Sequence, residues 1–157
     1  MGEPFILLID DDIDWLFLSK HQLSRAGIRV PVIEARDGEV AISVFKESLL
    51  KAETPLFVLL DINMPRLDGF ETLAWIRSEP LLASVPVIML SSSQQEADIL
   101  RAKHLGGDAF WVKGDHVAGL IALYAQARAI RGAIIKLENA LINLPGNLLS
   151  VQAVARG

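Results

Sequence analysis

The sequence predicts an α/β fold, a doubly wound parallel sheet with helices on both faces, and three observations predict it. Apolar runs of strand length alternate with segments of helical spacing from residue 4 to residue 131. Most of these runs are apolar throughout rather than at every second position, the pattern of strands covered on both faces. Turn residues punctuate the alternation at Gly27, Asp37-Gly38, Pro55 and Gly106-Gly107.

Five strand–helix pairs follow. The strands are expected at 5–9, 31–35, 56–60, 87–90 and 109–112, the second being the least apolar. The helices are expected at 13–26, 38–50, 68–77, 94–105 and 116–130, where apolar residues recur three and four apart. Asp12 or Asp14 is read as the N-cap of the first helix, since a short acidic side chain satisfies the free N–H groups of a first turn. Residues 132–157 form a C-terminal extension, a helical stretch up to Leu144-Pro145-Gly146 and then a tail of mixed character.

The 157 residues suit one domain with a short appendage, and 52% hydrophobic against 22% charged residues excludes a disordered chain. The longest apolar runs, such as Pro4-Phe5-Ile6-Leu7-Leu8-Ile9, fall well short of the ~18–20 residues of a bilayer crossing. A cytoplasmic protein without a membrane anchor is therefore expected. The chain contains no cysteine, which removes disulfides, thiol nucleophiles and cysteine-based zinc sites. A net charge of −4 without a cluster of lysine or arginine argues against nucleic acid, whose binding depends on neutralising phosphates.

In a parallel α/β sheet, ligands bind beyond the carboxyl ends of the strands, where the strand order reverses. The first run ends in Asp10-Asp11-Asp12, the third in Asp61, the fourth in Ser91-Ser92-Ser93 and the fifth in Lys113. With the flavodoxin-like order 2-1-3-4-5, the first and third strands are neighbours, and Asp10, Asp11 and Asp61 converge. Such a cluster calls for a hard divalent cation with oxygen ligands, Mg²⁺, with Lys113 left to neutralise a further anion. Helix capping alone explains at most one acid per helix and does not explain acids at the ends of both central strands.

The stretch Leu59-Leu60-Asp61-Ile62-Asn63-Met64-Pro65-Arg66-Leu67-Asp68-Gly69-Phe70 resembles the phosphoacceptor segment of response-regulator receiver domains of two-component signalling. Ile9-Asp10-Asp11 resembles the family's acidic pair, Pro86-Val87-Ile88-Met89-Leu90-Ser91 its hydroxyl-bearing fourth strand, and Phe110-Trp111-Val112-Lys113 its lysine-ending fifth. The resemblance covers about residues 4–131, so 1–131 is expected to be a receiver domain. It implies Asp61 as the nucleophile that becomes an aspartyl phosphate, with Asp61, Asp11, the Asn63 carbonyl and, through water, Asp10 around Mg²⁺. It further implies that Ser91 and Lys113 contact the phosphoryl oxygens, that Ser91 and Phe110 form a switch pair, and that a partner histidine kinase is the donor. Among receivers, the acidic loop and the Asn-Met-Pro-Arg-Leu-Asp-Gly segment look most like stand-alone regulators serving bacterial and cyanobacterial phytochrome kinases. The expected product is a signal, not turnover of a substrate.

Three rival readings stand against this one. A phosphatase of the haloacid-dehalogenase type typically places a second Asp two residues after the nucleophile, and Asn63 cannot act there as general acid and base. A flavodoxin-like FMN protein needs a hydroxyl- and glycine-rich loop after the first strand, where Asp10-Asp11-Asp12 would repel phosphate. A docking protein regulated by binding alone is the non-enzymatic rival.

The chain departs from the receiver pattern in three places. Gly114 follows Lys113 where the family usually has proline in a cis peptide, Phe110 stands where tyrosine is frequent, and Ser91 replaces the commoner threonine. Trp15, just after the acidic loop, is expected either to pack or to face a partner. Finally, Leu120, Leu123, Ala127, Ile130, Ile134, Leu137, Leu141 and Leu144 alternate in steps of three and four, an a/d stripe that favours a homodimer over a fold-back, with Gly132 as a possible break.

Overall fold

The computed structural model describes residues 3–113, 119, 121, 122, 124, 125 and 151–153. The strands are β1 (Phe5–Ile9), β2 (Val32–Ala35), β3 (Pro55–Asp61), β4 (Val87–Ser91), β5 (Ala109–Val112) and β6 (Val151–Ala153). The helices are α1 (Ile13–Arg25), α2 (Gly38–Leu50), α3 (Gly69–Ser78) and α4 (Glu96–His104), with one 3-10 turn at Pro80–Leu82. Residues 119, 121, 122, 124 and 125 are also helical, within the fifth expected helix.

The sheet runs β2-β1-β3-β4-β5-β6. Its first five strands are parallel, in the expected order 2-1-3-4-5. The sixth, in the tail that the sequence leaves as mixed in character, adds to that sheet: β6 pairs antiparallel with β5, Ala109 opposite Ala153 and Trp111 opposite Val151. The physical reason is the free edge of β5, a row of unpaired N–H and C=O groups that any short extended segment can satisfy. The helical part of the extension, the a/d stripe and the Lys113–Gly114 peptide bond lie outside the described residues.

Alternation along the strands divides the core into two layers. Phe5, Leu7, Ile9, Val58, Leu60, Val87, Met89 and Phe110 point to one face, where they meet Ala41 and Phe45 of α2 and Phe70, Leu73 and Ile76 of α3. Ile6, Leu8, Phe57, Leu59, Ile88, Leu90 and Trp111 point to the other, where Leu16 and Leu23 of α1 and Tyr124 cover them. Burial on both faces explains why these runs read as continuously apolar.

Short acidic side chains start three of the helices. Asp12 accepts from Trp15 N, Asp37 from Val40 N, and Asp68 from Glu71 N, the last in a reciprocal capping box with the Glu71 side chain. Each cap follows the carboxyl end of a strand, so the loops that carry polar chemistry are also fixed helix starts.

Candidate functional site

Pairing of β1 with both β2 and β3 puts the ends of the two central strands side by side. Asp10 follows β1, its N–H donating to Ala35 O at 3.0 Å, and Asp61 ends β3. Both are buried, whereas Asp11 is exposed at the rim. Carboxylate oxygens of Asp10, Asp11 and Asp61 all lie within 4.8 Å of one another. Lys113, just past β5, extends across the end of β4: its Nζ is 2.6 Å from Asp10 Oδ2 and 3.4 Å from Asp61 Oδ1. Its backbone N–H donates to Ser91 O at 2.7 Å, which fixes the start of its reach.

The electrostatics follow from crowding in a dry pocket. Burial raises the Asp61 pKa, the Asp10 charge raises it further, and Lys113 offsets only part of this, so it is pushed up to about 7. Burial also raises Asp10, against the opposing Lys113 ammonium and the Asp12 N–H that donates to its Oδ1 at 2.9 Å. For Lys113, burial favours the neutral amine, but Asp10 and Asp61 outweigh it and hold its pKa above the ordinary value. With all three carboxylates ionised, one ammonium leaves two negative charges uncompensated, the state that the raised Asp61 and Asp10 values resist. A divalent cation fits both that deficit and the all-oxygen donor set.

Ser91 ends β4 fully buried, its Oγ accepting from Ser93 N at 3.1 Å. Phe110 is fully buried among the core side chains beside Met89. Asn63 is exposed in the loop after Asp61.

Other contributors to this end of the sheet were not legible in the sequence. Gly69 opens α3 directly against the end of β3: its N–H donates to Ile62 O at 2.9 Å, and a Cβ there would lie 2.2 Å from Asp61 O. The Asp-Gly pair at a helix start was the available signal. Arg66, at φ +67°, donates through Nε at 3.1 Å, and through its terminal nitrogen, to Asp37 Oδ2, tying the β3–α3 loop to the start of α2. With the Val40 N–H first and Arg66 second among the favourable partners, the Asp37 carboxyl is held below the usual range despite burial. Trp15 sits in the first turn of α1, half-buried against the layer of Leu16 and Trp111, with its ring 5.5 Å from Lys113 Nζ.

The family model of the response regulator receiver domain matches residues 6–124. This chain belongs to the response-regulator receiver domain family of two-component signalling. The transcriptional regulatory protein GltR of Pseudomonas aeruginosa is 39% identical over 105 residues, 67% of this chain and 40% of GltR. The chain therefore spans well under half of that relative. Response regulator Rcp1 of Synechocystis sp. is 29% identical over 120 residues, covering 75% of this receiver and 82% of Rcp1. Among solved structures, the bacteriophytochrome response regulator AtBRR superposes with a TM-score of 0.68 at 29% identity, covering 86% of this chain and 99% of its own. The phosphorylated cyanobacterial phytochrome response regulator RcpA gives 0.67 at 28%, covering 92% and 100%. Membership makes the domain a signalling module, and its acidic pocket is of the kind that can hold Mg²⁺. Among the described residues no helix is long and apolar enough to cross a membrane.

Proposed function

We propose that this receiver is a phosphorylation switch in which Asp61 accepts a phosphoryl group from a partner histidine kinase with Mg²⁺ present, and that its output is altered protein contact. The observation that carries this reading is the convergence of Asp10, Asp11 and Asp61 within 4.8 Å, with the Lys113 ammonium 3.4 Å from the Asp61 carboxylate. An Asp61 oxygen attacks phosphorus, the donor N–P bond breaks, and the electron pair stays with the departing imidazole. Asp10, Asp11, Asp61 and the Asn63 carbonyl are the residues that would hold Mg²⁺, which supplies charge neutralisation to the transferring group. Lys113 and the Ser91 hydroxyl bind phosphoryl oxygens, and Ser91 and Phe110 act as the switch pair, a shift of the hydroxyl repacking the buried ring.

The donor histidine reaches Asp61 from outside, next to the first turn of α1. There Ile13 and Phe17 are 55% and 70% exposed and give a partner apolar area to cover. Likeness to AtBRR and RcpA supports a phytochrome-type kinase as that partner. A cytoplasmic setting suits it, and the net charge of −4 supports protein over nucleic acid as the target.

Incubating the chain with acetyl phosphate and Mg²⁺ should add one phosphoryl group, about 80 Da by intact mass, and Asp61→Asn should abolish the addition. Equal labelling of the variant would move the acceptor elsewhere. Absence of labelling in the unaltered chain would favour a docking protein. The a/d stripe supports homodimerisation through the C-terminal extension: Leu137→Glu should convert a dimer to a monomer in light scattering and leave labelling intact. A full-length chain that is monomeric at micromolar concentration would support fold-back of the stripe instead.

A further inference from the structure

Lys113 has two kinds of neighbour. Its ammonium contacts Asp10 and Asp61 on the pocket side, and the ring of Trp15 faces it at 5.5 Å, inside the range in which an aromatic face attracts a cation. The carboxylate contact is contested, because Asp10 is also one of the three acids that would hold a divalent cation. Were Asp10 turned toward such a cation, directly or through water, its hold on the ammonium would weaken where Lys113 is needed beside Asp61. The next residue, Gly114, constrains the backbone least of all residues. The ring is anchored independently. Trp15 N donates to Asp12 Oδ1 at 3.1 Å within the α1 cap, and the side chain is half-buried against the layer that contains Leu16 and Trp111.

We propose that Trp15 is a positioning residue for phosphoryl transfer, its ring holding the Lys113 ammonium over the pocket when Asp10 is engaged by the metal. The proposal rests on the functional reading above. It assigns Trp15 no contact with the phosphoryl group, since Trp15 works through Lys113.

The test uses the full chain with acetyl phosphate and saturating Mg²⁺. Trp15→Leu keeps apolar bulk but removes the aromatic face, and phosphorylation should slow roughly fivefold, the size expected of a partly desolvated cation–π contact. Trp15→Phe should recover most of the rate, and Mg²⁺ affinity, measured separately by titration, should match the unaltered protein in both variants. In a Lys113→Met background, Trp15→Leu should cause no further loss. An unchanged rate in Trp15→Leu, or the same fractional loss with and without Lys113, would overturn the proposal and leave Trp15 as packing alone. A second measurement needs no phosphorylation and no variant: the Lys113 ε-methylene protons should show an upfield ring-current shift in NMR spectra of the Mg²⁺-bound protein. Their appearance at ordinary lysine positions would refute the contact. A chain that shows the shift but takes no phosphate would retain the contact and overturn the functional reading instead.

Discussion

The two ends of the sheet each hold a buried charge cluster, and they are built to opposite specifications. At the amino end, Arg77 donates to Gly106 O, Leu82 O, Val85 O and Asp108 Oδ2, and Asp108 also accepts from Val87 N, so one cation meets one anion inside a network of directed bonds. At the carboxyl end, three carboxylates share one lysine, and Asp61 is driven toward its neutral form by burial and by Asp10. Both clusters cost desolvation. The first offsets that cost internally and so locks α3, the 3-10 turn and the starts of β4 and β5 together. The second leaves part of the cost standing, which a proton on Asp61 or an added cation would relieve. Charge balance, more than burial, separates a structural cluster from a candidate binding site here.

The largest effect that could break this comparison belongs to the balanced end. Asp108→Ala strands the Arg77 guanidinium and the Val87 N–H, and should lower unfolding free energy by about 3–5 kcal/mol in urea titrations. A loss no greater than that of an ordinary surface change would mean the amino-end network is incidental. Next comes the metal: Mg²⁺ at a hundred times its dissociation constant should stabilise the chain by about 2.7 kcal/mol through mass action. Asp11→Ala should abolish that response while raising the metal-free midpoint, because it removes repulsion at the rim. A retained response would place the ligands elsewhere.

The third effect is a pH dependence in chelator. The folded-state pKa of Asp61 lies above its unfolded value, so folding takes up a proton between about pH 4 and about pH 7. Stability from this group is complete below the unfolded pKa and is lost as pH rises through about 7, at up to ~1.4 kcal/mol per pH unit. Calorimetry across that window should show the decline in the unaltered chain and a flatter profile in Asp61→Asn. A rise with pH would overturn the electrostatic account of the site.

Much of this was readable from residue order alone, for reasons that are specific. Strands β1, β3 and β4 are buried on both faces, so their composition marks them without periodicity, and the switch point then predicts that whatever follows β1 and β3 must meet. Asp10, Asp11 and Asp61 were found in that way. The contacts that escaped depend on three-dimensional approach. Trp15 meets Lys113 only because the lysine side chain reaches from the end of β5 to the end of β1, where α1 begins, and Arg66 meets Asp37 only because two loops dock. Strand β6 escaped because three residues carry no period of their own, and the free edge of β5 supplies the reason to be extended.

The close seat of Gly69 against Asp61 has a mechanical consequence. With no slack between the Asp61 main chain and the first turn of α3, that backbone is fixed, so any change at the Asp61 carboxylate would fall on the side chains around it. Those side chains are Asp10, Asp11 and Lys113, while at the end of β4 the Ser91 hydroxyl is tied to its own loop by the Ser93 N–H at 3.1 Å. The rigid seat is thus the fixed jaw of a vice, and adjustment at the site is left to the side chains opposite it.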